Sequence, residues 1–147
     1  MSDIAIEQPA PRRAPWHLWV VGILSLLWNA SGAWVFVQAQ TGSPMDMDPT
    51  EIAYYAEQPV WAVVLTDLAF AGAILGAVAL LLRSRWAPPL YLLSIAAIVF
   101  SAVGDIARGS ALLLQDQGWL TLALVTTGLA LLQWLYALWM GKRGVLR

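Results

Sequence analysis

The chain contains no cysteine and a single histidine in 147 residues. The first absence excludes disulfides, thiolate metal sites and iron–sulfur ligation. The second excludes a metal or haem centre held by histidines alone. Charge is scarce as well, with Lys, Arg, Asp and Glu making up 12% of the residues against about 25% in soluble domains. The net charge is only -1 and no basic stripe exists, which argues against a nucleic-acid binder. No HExxH pattern, no glycine-rich phosphate loop and no nucleophile beside a carboxylate pair is present. Neither an enzyme nor a cofactor is expected.

What is abundant is apolar surface. Hydrophobic residues make up 60% of the chain, and the mean hydropathy is +0.68. A soluble fold of this length cannot hide so much, because small domains leave a large share of their surface exposed. Four runs reach the length of about 20 residues that a transmembrane helix needs: 17–38, 60–82, 87–109 and 119–140. Their hydrophobicity is continuous rather than alternating, so they read as helices and not as barrel strands. The expected fold is an all-α, integral-membrane four-helix bundle spanning residues 16–141. Residues 1–15, with Pro9, Pro11 and Pro15, read as a flexible tail, and 142–147 as a short basic one. The first run is longer than a signal-peptide core and is interrupted by Asn29, so it reads as a retained span.

Basic residues set the expected orientation. Arg12, Arg13, Arg83, Arg85, Lys142, Arg143 and Arg147 all fall on one side of this arrangement, and only Arg108 on the other. The positive-inside rule then places both termini in the cytoplasm, and a bacterial inner membrane is the expected location. The first outer loop carries Asp46, Asp48, Glu51 and Glu57 and no cation. Within it, Asp48-Pro49-Thr50-Glu51 is a helix-start signal. A short amphipathic helix is expected there, ending at Pro59, either as a solvated connector or as a lid over an outward-facing pocket.

Polar groups inside a bilayer are costly and commonly face the bundle interior. At 1.5 Å rise per residue, Asp67 lies roughly 10 Å below the outer end of its span, Asn29 roughly 13 Å, and Thr126 and Thr127 roughly 11 Å. Asp105 and Arg108 lie nearer the outer end of the third span, three residues apart, where they can pair locally. These six residues define the expected polar layer, a small cavity opening outward. Each also has a plainer reading. Asn29 can be interhelical glue, and the threonines can bond their own helix. Asp67 has no cation within one turn, so either Arg108 reaches across to it or it is protonated. On depth alone, Asp67→Asn is expected to matter more than Asp105→Asn. Gln133 falls in the inner half and reads as glue, while His17 reads as interfacial. Gly72 and Gly76 form GxxxG, either an internal helix contact or a homodimer face.

Several short stretches carry a resemblance. They are Pro15-Trp16-His17, Leu27-Trp28-Asn29, Gly32-Ala33, Tyr54-Tyr55, Pro59-Val60-Trp61, and the run from Leu80 through Arg83-Ser84-Arg85-Trp86 to Ala87. In this order and spacing the chain resembles a family of small four-helix bacterial inner-membrane proteins, many of which carry a sugar-transporter label. The resemblance implies four spans and a small-solute permease. It covers the chain through the third span and departs at Val35-Phe36, where family members often have Asp-Tyr. Two functions stay open: a small transporter, or an accessory subunit of a larger respiratory or photosynthetic complex. The lipid bilayer is the expected partner in both, with a second copy or a larger assembly beside it.

Overall fold

Proline and glycine place the boundaries of the helices. The computed structural model describes residues 13–41, 49–109 and 117–147, and they form five helices with no strand among the described residues. These are α1 (Trp16–Gln40), α2 (Pro49–Ala56), α3 (Val60–Leu81), α4 (Ala87–Ala107) and α5 (Gln117–Lys142). Pro15 and Pro59 immediately precede α1 and α3, and their carbonyls accept from Leu18 N and Ala62 N at 3.1 and 2.9 Å. Pro88 and Pro89 occupy the first turn of α4, where a missing N–H costs least. Pro49 likewise begins α2. Asp48, its expected cap, lies outside the described residues, as do Asp46 and most of the N-terminal tail.

Four of the helices are long and apolar enough to cross a membrane. At 1.5 Å per residue they measure about 32 to 39 Å, enough for a hydrocarbon core of about 30 Å. Their ends fall within two residues of the runs read from the sequence.

α3 and α5 end in turns of the same kind. α3 finishes in a Schellman turn: Ser84 N donates to Ala79 O at 2.7 Å and Arg83 N to Leu80 O at 3.0 Å. Arg83 takes the left-handed position, φ 59°, a conformation that favours glycine. α5 ends the same way, with Gly144 at φ 70° and Val145 N bonded to Met140 O. Residues 143–147 then run back along the α3–α4 turn. Arg85 N donates to Arg147 O, Arg147 N to Arg83 O, and Arg83 Nε to Val145 O at 3.1 Å. The segment read as a basic tail is thus a strap, and Val145 is buried beneath it.

Small residues also let the helices meet. A Cβ on Gly72 would touch Leu90 O and Ser94 N at 3.0 and 3.1 Å, and one on Gly76 would meet the Tyr91 ring at 3.0 Å. Ala69, Ala73 and Ala77 are buried on the same face, and Ser94 Oγ donates to Ala69 O across it. Of the two readings of Gly72 and Gly76, the structure holds the internal one. Their face is filled by α4, which leaves no room there for a second copy.

The core is gathered at one end. Leu18, Ala77, Leu80, Ala87, Tyr91, Ala137, Met140 and Val145 form one buried cluster, drawn from the start of α1 and α4 and the finish of α3 and α5. At that end His17 Nδ1 meets the Tyr136 hydroxyl at 2.5 Å and its ring stacks on Trp139. Among the described residues, Phe36, Ala62 and Asp105 are buried toward the α2 end but stand outside this cluster. α1 packs on α3, α3 on α4 and α4 on α5. Between α1 and α5 the contact is chiefly through long side chains, and a gap opens toward the α2 end.

Candidate functional site

The gap is a cavity of two adjoining chambers. The one nearer α2 has a volume of about 420 Å³, and the deeper one about 240 Å³. Trp28, Asn29, Tyr54, Thr66, Phe70, Leu122 and Thr126 border both. Four of the six residues expected to form a polar layer are therefore brought together: Asn29 from α1, Asp105 from α4, and Thr126 and Thr127 from α5 all line the deeper chamber.

Arg108 stands beside the chamber and closes an ion pair with Asp105 one turn away. Its guanidinium lies 5.4 Å from the centre of the Trp61 ring. Arg108 does not reach Asp67. Of the alternatives read from the sequence, the local pair of Asp105 and Arg108 is the one formed, since the two share a face of the same helix. Asp67 itself is exposed on α3 and has no partner among the described residues. Its immediate neighbour Thr66 faces the cavity instead. One residue is a rotation of about 100° on a helix of 3.6 residues per turn, which depth along the axis does not register.

Two further side chains that the sequence did not place in the polar layer border the cavity, although Gln133 reads as interhelical glue and does bond across helices. The first is Tyr54. Its hydroxyl donates to Asp105 Oδ2 at 2.8 Å, so that the short helix α2 is fastened to α4 over the cavity. Tyr55 beside it packs on Phe36, which in turn packs on Phe70. α2 is thereby held against both α1 and α4 beside the cavity. Burial, and then the bond to Asp105 and its charge, push the Tyr54 phenol well above its usual range. The Tyr55 phenol is raised by burial and by Glu51.

The second is Gln133. Asn29 Nδ2 donates to Ser25 O at 2.7 Å and to Gln133 Oε1 at 3.1 Å. Gln133 is only 8% exposed, yet lines the deeper chamber. The signal for it was the carboxamide itself in an apolar span. The estimate of depth hid the pairing, because α1 runs on to Gln40 and Asn29 lies about 16 Å from that end.

The site therefore presents hydroxyls and carboxamides within apolar walls. Its carboxylate is already neutralised by Arg108 and bonded to Tyr54. Such groups can hydrogen-bond an uncharged ligand. No protein-family model matches the chain, and no curated protein or solved structure matches it either.

Proposed function

We propose that the chain is a small-solute permease of a bacterial inner membrane, with α2 as the outward lid of its binding cavity. The observation that carries this reading is the Tyr54–Asp105 bond, which fastens a surface helix over a chamber lined by polar groups from α1, α4 and α5. Arg83, Arg85, Lys142, Arg143 and Arg147 gather at the end away from α2, and Arg108 stands at the α2 end. By the positive-inside rule this supports cytoplasmic termini and an outward cavity. The ligand class that fits neutral dipoles is an uncharged solute, and the resemblance to sugar-transporter-labelled proteins points the same way. The test is uptake of labelled sugars and related neutral solutes into proteoliposomes. The expected result is saturable uptake that Tyr54→Phe and Asn29→Leu alter. Uptake no greater than in protein-free vesicles, with intact protein, overturns the reading.

A second reading, an accessory subunit of a larger membrane complex, is favoured by Asp67. An acid exposed on an apolar span is costly in lipid, and a partner helix offering a hydrogen-bond donor relieves that cost. Migration with a large complex on native gels after mild solubilisation supports this alternative, whereas migration at monomer size supports the permease.

A further inference from the structure

The floor of the deeper chamber has hydrogen-bonding capacity left over. Asn29 spends both amide protons, on Ser25 O and on Gln133 Oε1. Its Oδ1 therefore remains an acceptor and Gln133 Nε2 a donor, and neither has a partner among the described residues. Both residues line the deeper chamber, so this spare acceptor and donor are available to a solute in it. A donor and an acceptor side by side on a floor more than nine-tenths buried at Gln133 match a head group that both accepts and donates.

The walls argue for what is attached to that head. Trp28 on α1 and Leu122 on α5 border both chambers, and each is also about half-exposed on the surface of the bundle, at 42% and 51%. The chamber wall along α1 and α5 is thus continuous with the outer surface of the bundle, at the helix pair that packs less closely than α1–α3, α3–α4 or α4–α5. Phe70 and Leu122 on these walls offer no hydrogen bonds, so the part of a solute that lies along them is apolar. A charged head would be desolvated against neutral dipoles alone, because the nearby ion pair is internally compensated.

We infer that the deeper chamber takes an uncharged amphiphile from the bilayer, through the α1–α5 seam, and seats its hydroxyl or carboxamide head on Asn29 and Gln133. The inference rests on the reading of the cavity as a solute site and names the class of solute. The tail lies along Trp28 and Leu122, where the apolar wall runs out to the lipid.

The test uses the full chain in phosphatidylcholine nanodiscs, with radiolabelled decanamide as the probe and empty nanodiscs as the blank. A saturable component is expected that ionised decanoate does not displace. Gln133→Leu and Asn29→Leu, checked for unchanged helicity and elution, are each expected to weaken it about tenfold, the loss of one hydrogen bond at the upper end of its usual worth. Absence of a saturable component, displacement by decanoate, or binding that survives both substitutions overturns the inference. Glucose uptake into vesicles separates the two readings. Uptake without decanamide binding removes the amphiphile and leaves the permease. Decanamide binding without glucose uptake supports the amphiphile. Failure of both removes both.

Discussion

Tyr54 and Asp105 stand 51 positions apart in the sequence and 2.8 Å apart in the fold. The bond joins a surface helix of eight residues to a buried carboxylate that is only 3% exposed. It ties α2 to α4, while Tyr55 on the same helix packs against Phe36 of α1.

Removal of the Tyr54 hydroxyl is expected to loosen α2 selectively. A hydrogen bond to a charged group is worth about 1.5–3 kcal/mol. In Tyr54→Phe, amide exchange in α2 is expected to accelerate by roughly one to two orders of magnitude. Exchange at Ala77–Leu80, in the packed end, is expected to stay unchanged.

The same pair has a pH dependence. The closed state raises the Tyr54 phenol above its ordinary value of 10.0, and the neutral phenol is the form that donates. The stability of the closed lid is fully present below pH 10 and is lost as the pH climbs through the raised value. Absorbance at 295 nm is expected to show a late-titrating phenol in the wild type. That phenol is absent in Tyr54→Phe and titrates earlier in Asp105→Asn.

Glycines in two places are expected to respond with opposite signs. Gly72→Val forces α3 away from the backbone of α4 and is expected to destabilise the fold by about 1–3 kcal/mol. A Cβ on Gly128 meets nothing within 4 Å, so Gly128→Ala is expected to stabilise α5 by about 0.5–1 kcal/mol. Unfolding followed by circular dichroism in mixed micelles reads both.

The lack of native cysteine makes orientation directly measurable. In intact cells a membrane-impermeant maleimide is expected to label Thr41→Cys, at the α2 end. Trp86→Cys, at the opposite end, is expected to react only after the membrane is opened. The reverse pattern refutes cytoplasmic termini.

Asp67 and Asp105 exchange rank once the faces of their helices are known. Asp105→Asn is expected to weaken both the lid and the cavity. Asp67→Leu is expected to leave solute uptake unchanged and to act only on migration in native gels, where a partner helix would be lost.

The spans were legible because bilayer thickness, continuous hydrophobicity and proline at the helix starts all act locally. Asn29, Thr126 and Thr127 were legible for a similar reason, since hydroxyls and carboxamides in lipid seek one another. Asp67 misled because axial depth ignores rotation about the axis, and Thr66 holds the inward position one residue away. Gln133 was hidden by the uneven ends of α1 and α5. Tyr54 was beyond reach, since nothing near it in the sequence announces an acceptor on α4. The fate of Gly72 and Gly76 was equally undetermined, for a close-packing stripe does not say which helix will fill it.

The strap of residues 143–147 has a mechanical consequence. Its bonds to Arg83 and Arg85 bind the close of α5 to the α3–α4 turn, directly over the cluster of Leu80, Met140 and Val145. The end of α5 is therefore tied to the α3–α4 turn, and any movement that draws α5 away from that turn must first break these three bonds.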